Sequence, residues 1–235
     1  MQAAAAAMAI STPRSIPILG AHELVGQRAG FALFEPVSFD LHAGQLLWLE
    51  GDNGVGKTTL LRGLLGLSLL KFTGLNFQGQ PLPAARAQMQ QQSRWLSHQS
   101  TLKSVLSVSQ NWQFWAALYH AGPIDAAELA SSLGLDGLET QPIASLSAGQ
   151  KKRAQLALLR FGNPALWLLD EPFANLDQSG IKLVEQLICQ HLDLGGAALS
   201  TSHGVLGTGS ALASRASALK LRPAKLLPTN ELAND

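Results

Sequence analysis

The chain has 235 residues, 46% of them apolar, and its 22 glycines and 11 prolines follow no repeat. Such a composition is that of one or two globular domains, and it excludes a disordered tail or a collagen-like rod. The net charge is +1, which argues against a broad basic face for nucleic acid, because such binding neutralises many phosphates at once. The one cysteine, Cys189, cannot form an intrachain disulfide.

Neither a membrane span nor a secretory signal is visible in the sequence. The richest apolar stretch, 60–70, is shorter than the roughly 20 residues that a span needs. The Ala-rich N-terminus has no Lys or Arg before its apolar residues, unlike a signal peptide. We expect residues 1–17 to be a low-complexity extension, in which Met8 is an alternative start, and residues 223–235 to be a C-terminal tail.

The first part of the chain reads as short strands followed by one helix. Strand patterns fill 18–50 and end in the apolar run Gln45–Leu49. Helix formers then extend from Thr59 to Leu65 and end at Gly66. Further short strands are predicted over 70–105.

Residues 107–160 read as mostly helical, with helices at 123–135 and 149–161. Four apolar residues at helical spacing suggest one buried face, and we favour a core role over a partner surface for them: Trp112, Trp115, Leu118 and Tyr119. Beyond this region follow a strand at 166–169, an amphipathic helix at 181–192 and a last core strand at 197–201. Strands separated by helices predict an α/β core with an inserted helical subdomain.

The strongest motif is G-x-x-x-x-G-K-T, which follows an apolar strand and opens a helix. Its glycines let backbone N–H groups point at phosphate oxygens, and the helix N-terminus adds its positive dipole end. The lysine is suited to the β- and γ-phosphates, and the threonine hydroxyl to Mg²⁺. The predicted nucleotide-binding residues are Gly51, Asp52, Asn53, Gly54, Val55, Gly56, Lys57, Thr58 and Thr59.

Two carboxylates follow the apolar strand Leu166–Leu169. Asp170 is a candidate Mg²⁺ ligand, and Glu171 is the candidate catalytic group that polarises the water attacking the γ-phosphorus. Alone, the pair fits a solvated acidic turn. Beside the phosphate loop it predicts a nucleoside triphosphatase.

A third motif resembles the signature sequence of ATP-binding cassette (ABC) proteins. It comprises Leu146, Ser147, Ala148, Gly149 and Gln150, with Ala148 where Gly is more usual. Ser147 and the N–H groups near Gly149 are predicted to stand at a helix start, where they could bind an anion, so the motif resembles a second phosphate site. The resemblance implies a head-to-tail dimer in which each signature covers the other copy's ATP. We favour a solvated helix face for the basic residues that follow, Lys151, Lys152 and Arg153.

Other ABC landmarks follow in the family order. Gln99, after Trp95–His98, matches the Q-loop glutamine and would contact Mg²⁺ and the attacking water; alternatively it is one polar residue in a Gln-rich neighbourhood. Asp177 matches the D-loop aspartate. His203 matches the switch histidine that contacts the γ-phosphate, a role we favour over a structural one because it follows the strand 197–201. The aromatic residue that stacks on adenine is missing.

Spacing back from the phosphate loop places Gln27 or Arg28 at the adenine position, with Phe31 and Phe34 nearby. A guanidinium can lie flat on a base, so Arg28 is a candidate; an exposed turn arginine is an equal alternative. The resemblance implies a P-loop NTPase of the ABC type over residues 18–222. Its parts would be a RecA-like core, an antiparallel β subdomain and a helical subdomain at about 100–160.

A closer resemblance is to the ATP-binding subunits of the bacterial cytochrome c maturation haem exporter. It is carried by His98 before Gln99, the signature with basic residues after it, Trp167 before Leu-Leu-Asp-Glu-Pro-Phe, and the run Thr201–His203. It implies a peripheral subunit on the cytoplasmic face of the inner membrane, paired with an integral permease. ATP hydrolysis would drive release of the haem-loaded chaperone. No ligand spacing among the six histidines predicts a direct haem site.

Two other classes of function stay open. One is a cassette that serves a different permease, and the other is a soluble cassette of the iron–sulfur assembly kind. A DNA-linked cassette predicts a long coiled-coil insertion between the phosphate loop and Asp170, and the interval lacks heptads. No nucleic acid partner is therefore expected.

Overall fold

The computed structural model describes residues 15–201 and 212–224. Six strands in these residues form an antiparallel sheet around the long strand β1, which pairs with β2, β3, β5 and β6, while β7 pairs with β6. They are β1 (Leu19–Arg28), β2 (Phe31–Ala32), β3 (Val37–Leu41), β5 (Leu70–Lys71), β6 (Gly74–Phe77) and β7 (Gln80–Pro81).

Five strands form a second sheet in which all pairs are parallel, in the order β11-β4-β10-β9-β8. They are β4 (Leu46–Glu50), β8 (Ser93–Leu96), β9 (Leu166–Leu169), β10 (Ala197–Thr201) and β11 (Ala216–Lys220). Because all five strands run in one direction, the segments after β4, β8 and β9 all begin at the carboxyl ends of the strands. Open α/β sheets bind their ligands at this end.

Among the residues that the structure describes, six α-helices accompany the sheets. They are α1 (Lys57–Leu64), α2 (Arg86–Gln92), α3 (Val108–Leu118), α4 (Ala126–Ser132), α5 (Ala148–Leu156) and α6 (Gln178–Asp193). Helices α3 and α5 begin with capping boxes, Ser107 with Gln110 and Ser147 with Gln150, which satisfy N–H groups at the helix start. Within the described ranges, no helix is both long and apolar enough to cross a bilayer.

The parallel sheet separates two apolar clusters, because alternate residues of each strand face opposite sides. Trp48 of β4 and Trp167 of β9 join the cluster built with α3–α6. Leu49 and Leu168, one residue further along the same strands, join the cluster built with α1 and the antiparallel sheet. Strands buried on both faces are typical of parallel sheets, so the predicted α/β class is confirmed.

Ala197–Thr201 is buried along its whole length, as expected of a core strand. The sequence analysis missed β11, which follows it as an edge strand with mostly exposed side chains and so leaves no apolar run to detect. Two local predictions are wrong. Helix α2 lies where strands were expected, and Met89 is its one buried residue, so it lacks helical periodicity. Leu118 is 54% exposed, although Trp112 on the same helix is fully buried.

Candidate nucleotide site

The predicted phosphate loop lies between β4 and α1. Gly51, Gly54 and Gly56 have φ values of 142°, 81° and 113°, which side-chain-bearing residues rarely adopt. A Cβ added at Gly51 would lie 2.7 Å from the carbonyl oxygen of Leu221, and one at Gly56 would lie 3.0 Å from the Phe34 ring. Glycine at these positions therefore lets the loop curl closely against its support.

Lys57, the first residue of α1, is buried and turns its side chain back across the loop. Its Nζ donates to the carbonyl oxygens of Gly51, at 2.5 Å, and Asp52, at 3.2 Å. The ammonium is thereby held over the loop, at the N-terminus of α1, where the first N–H groups of the helix have no intrahelical partner. Positive charge and orphan donors together favour an anion at this place.

Asp170, at the end of β9, joins three elements at the sheet edge. Its buried carboxylate accepts hydrogen bonds from Thr58 Oγ1, at 3.0 Å, and from Thr201 Oγ1, at 2.9 Å. The Asp170 N–H donates to the Leu96 carbonyl of β8, at 2.8 Å. A carboxylate beside a hydroxyl is the oxygen donor set that Mg²⁺ prefers, so Thr58 and Asp170 fit the predicted metal role.

Glu171 has φ +50°, an uncommon value for a residue with a side chain. Its N–H donates to Thr201 Oγ1 at 3.0 Å, and its carbonyl oxygen accepts from Lys152 Nζ at 3.2 Å. Its carboxylate oxygen Oε2 lies 3.1 Å from His98 Nδ1. The backbone and the side chain of the predicted catalytic residue are thus both held by other elements.

A cleft of about 510 Å³ brings predicted residues of three motifs together. Its lining includes Thr58, Gln99, Asp170 and Glu171. Gln99 has an exposed side chain, and its carbonyl oxygen accepts from Ser97 Oγ and from Gln155 Nε2, at 3.4 Å. The structure therefore places the Q-loop candidate at the same cleft as the carboxylates.

The signature residues do not line this cleft. Ser147 and Ala148 are exposed at the start of α5, while Leu146 is buried and anchors the turn. Gly149 faces the backbone of Asn175, whose oxygen would lie 3.4 Å from an added Cβ. This exposed helix start lies outside the lining of the cleft and is accessible to another molecule.

The expectation that Lys151, Lys152 and Arg153 form a solvated face is wrong for two of them. Lys152 is buried, and burial lowers the pKa of its ammonium to about 8, against the opposing influence of Asp170 and Glu171. Arg153 Nη2 lies 2.9 Å from the Asp177 carboxylate. These two side chains are covered by tertiary packing, because the loop after β9 and the start of α6 lie against this side of α5.

Asp177, the predicted D-loop residue, is the N-cap of α6. Its carboxylate accepts from the Gly180 N–H at 2.8 Å and from Ser179 and Arg153. The backbone hydrogen bond from Gly180 is the largest of the influences that lower the pKa of this carboxyl group, followed by Ser179 and, with a smaller contribution, Arg153. The contact with Arg153 links the loop after β9 to α5.

Arg28 is exposed at the end of β1, in register with the half-exposed Phe31 on β2. Phe34 is fully buried against Gly26 and Gly56, so its ring is not available to stack on a base. His203, the predicted switch histidine, lies outside the described residues.

Three contacts at the site escaped sequence reasoning. The Thr201 hydroxyl bridges Asp170 and Glu171, and a polar residue at the end of a strand of a parallel sheet is the signal that could have revealed it. His98 pairs with Glu171, and its position before Gln99 was the available clue. For Lys152 the sequence offered no signal beyond its place in a basic run.

Known proteins resemble this chain in fold and in sequence. The ABC transporter family profile matches residues 34–174. A putative ABC transporter ATP-binding protein from Pyrococcus furiosus superposes with a TM-score of 0.71 at 21% identity, over 86% of this chain and 96% of that one. The ATP-binding subunit of another ABC transporter gives 0.75 at 20% identity, over 92% and 93%. The fold and site thus define an ABC-type ATP-binding domain.

Curated relatives narrow the class further. The cytochrome c biogenesis ATP-binding export protein CcmA of Idiomarina loihiensis is 41% identical over 80% of this chain and 86% of its own length. The proteins of the same name from Rhodobacter capsulatus and Escherichia coli are 40% and 37% identical, over 88% of this chain and 90% and 99% of their own lengths. The chain belongs to the ABC transporter family, among its cytochrome c biogenesis ATP-binding export proteins.

Proposed function

We propose that this chain is the ATP-hydrolysing subunit of a membrane-bound haem exporter of cytochrome c maturation. In this complex, ATP hydrolysis would drive release of the haem-loaded chaperone. The ATPase activity is supported by one cluster, in which Thr58 and Thr201 both donate hydrogen bonds to the carboxylate of Asp170, next to Glu171. The haem pathway rests on identities of 37–43% to cytochrome c biogenesis export proteins.

The phosphate loop would bind the triphosphate of ATP. N–H groups of the loop and of the first turn of α1 would donate to phosphate oxygens, and Lys57 would exchange its bonds to the Gly51 and Asp52 carbonyls for bonds to the β- and γ-phosphates. This exchange costs little, because a carbonyl is a weaker partner for an ammonium than a phosphate is. Arg28, exposed beside Phe31, is the candidate to cover the adenine ring.

Glu171 would act on the attacking water, accepting its proton as the bond to the γ-phosphorus forms. Thr58, Asp170 and Gln99 would hold Mg²⁺, which neutralises charge on the β- and γ-oxygens when bound. Thr201 fixes both carboxylate-bearing residues through one hydroxyl. His203, placed after β10 in the sequence, would contact the γ-phosphate.

A second copy would complete the site. The exposed Ser147 and Ala148 lie at the start of α5, and they are absent from the cleft that Thr58 and Glu171 line. In a head-to-tail dimer the signature residues Leu146–Gln150 of each copy would close over the ATP of the other. Hydrolysis in the closed pair then reopens it.

The segment that follows Gln99 would engage an integral permease at the cytoplasmic face of the inner membrane. It exposes three large apolar side chains, Val105 before α3 and Phe114 and Leu118 on α3. Exposed apolar groups on one segment are typical of protein interaction sites. Because Gln99 and these residues share one segment, docking of a permease there would reach the cleft directly.

Two measurements test this proposal. Glu171→Gln should abolish ATP turnover, by at least about 100-fold, while ATP affinity stays within about threefold of the wild type; Glu128→Gln, at the start of α4, is the control. Co-purification of the chain with an integral membrane protein of the cytochrome c assembly system is expected. Rapid turnover in Glu171→Gln, or purification of the wild type free of any membrane partner, would contradict the proposal.

A further inference from the structure

Two adjacent lysines on α5 have opposite environments. Lys152 is only 7% exposed and donates from Nζ to the Glu171 carbonyl oxygen at 3.2 Å. Lys151 is only partly buried, and its Nζ donates to the Ala144 carbonyl oxygen at 3.2 Å. A lysine is rarely buried without a partner that compensates its charge, so the placement of Lys152 calls for a reason specific to its surroundings.

The compensation for Lys152 comes from the site itself. Burial disfavours the ammonium, while the nearby carboxylates of Asp170 and Glu171 favour it, and the resulting pKa of about 8 leaves the group mostly charged at neutral pH. A cation is thus held beside the two acidic residues from the side of α5. Its hydrogen bond goes to the backbone of Glu171, not to a carboxylate.

Glu171 needs such support, because its φ of +50° is strained for a residue with a Cβ. A strained conformation persists only where surrounding contacts fix it. The Thr201 hydroxyl accepts from its N–H, and its carbonyl oxygen accepts from Lys152 and from the Ala174 N–H, at 3.2 Å. Of these contacts, the one from Lys152 comes from the signature helix.

We propose that Lys152 is a positioning residue that fixes the backbone of Glu171 from the signature helix, so that placement of the catalytic carboxylate depends on the position of α5. Ser147 caps the same helix five residues earlier, about 7.5 Å along its axis at 1.5 Å per residue. A shift of α5 when Ser147 meets a second copy is therefore passed to Glu171. The inference rests on the proposed catalytic role of Glu171.

Steady-state kinetics of the full-length chain test this inference. Lys152→Met, which keeps an unbranched apolar stem, should lower kcat at least tenfold while KM for ATP changes less than threefold. Lys151→Met is the matched control and should leave both constants within twofold. In a Glu171→Gln background, Lys152→Met should lower the residual turnover less than twofold, since the group that it positions is already lost.

The outcomes separate the inference from the proposed function. A kcat within twofold of the wild type in Lys152→Met, an equal loss in Lys151→Met, or a full tenfold loss in the Glu171→Gln background overturns the positioning role alone. Wild-type turnover in the Glu171→Gln chain instead rejects the role of Glu171. If Lys152→Met is unfolded at the assay temperature, Lys152→Gln takes its place with the same expected separation of kcat from KM.

Discussion

His98 Nδ1 lies 3.1 Å from Glu171 Oε2, which joins the segment after β8 to the predicted catalytic carboxylate. His98 is the residue before Gln99, so one short segment carries both the metal-ligand candidate and the partner of Glu171. The imidazole is 59% exposed, and exposed pairs contribute little to stability. The contact between His98 and Glu171 therefore affects the orientation of the Glu171 carboxylate more than the stability of the fold.

Replacing His98 by Ala should lower kcat about three- to tenfold, because the Glu171 carboxylate then samples orientations that do not face the γ-phosphate. The melting temperature should stay within about 2 °C, as expected for an exposed pair. His98→Asn keeps a side-chain N–H donor and should lose less. His22→Ala, at an exposed position of β1, serves as the control. An unchanged kcat in His98→Ala would show that the pair has no role in turnover.

Lys57→Ala should weaken ATP binding at least tenfold, which isothermal titration or a fluorescent nucleotide can measure. The ammonium is the charge held over the phosphate loop, and its removal leaves only backbone donors for the triphosphate. Lys182→Ala, on the exposed face of α6, removes the same charge elsewhere and should bind like the wild type. Equal affinities in the two variants would contradict the phosphate-loop assignment.

The phosphate loop and the acidic pair were predictable because their residues are contiguous and each follows a buried strand. Their function depends on local backbone geometry, which glycine spacing encodes directly. The contact between Lys152 and Glu171 joins residues 19 positions apart on different elements. No local pattern encodes it, since the burial of Lys152 depends on how the loop after β9 packs on α5. Strand β11 was missed for a related reason, because an edge strand needs no apolar run.

A mixing experiment tests whether Ser147 acts on a second copy. Lys57→Ala destroys the loop of its own site, and Ser147→Arg destroys the signature offered to the partner, so each variant alone should be inactive. In a mixed dimer, one site combines the intact loop of the Ser147→Arg chain with the intact signature of the Lys57→Ala chain. With random pairing and independent sites, activity should recover to about a quarter of the wild type.

The matched control for mixing pairs Lys57→Ala with Glu171→Gln. Both changes lie in the same half of the site, so every site in the mixed dimer contains one of them and no activity should return. Ser147→Arg also removes the N-cap of α5, at a cost of about 1 kcal/mol, which circular dichroism should show the fold to tolerate. Failure of the first mixture to recover, or full activity of Ser147→Arg alone, rejects the head-to-tail arrangement.

His191 on α6 makes stability depend on pH. Its buried ring stacks on Trp167 with centroids 4.1 Å apart, and its Nε2 lies 3.1 Å from the Ala197 carbonyl oxygen. Burial lowers the pKa of the imidazole to about 4, against the opposing hydrogen bond to Ala197. The folded chain thus holds this histidine neutral down to about pH 4, whereas the unfolded chain protonates it near its ordinary pKa of 6.5.

Between pH 6.5 and 4 the unfolded state binds one more proton at His191 than the folded state does. The free energy of unfolding therefore falls as the pH falls through this range, by up to about 1.4 kcal/mol per pH unit. Above this range His191 adds no pH dependence. From pH 7.5 to 5.0, urea denaturation should show the wild type losing about 2 kcal/mol more than His191→Phe, which keeps the stack on Trp167 without the titrating group. Gln190→Ala, at an exposed position of the same helix and without a titrating group, should retain the wild-type dependence. Identical losses in the wild type and His191→Phe would show that His191 is protonated equally in both states.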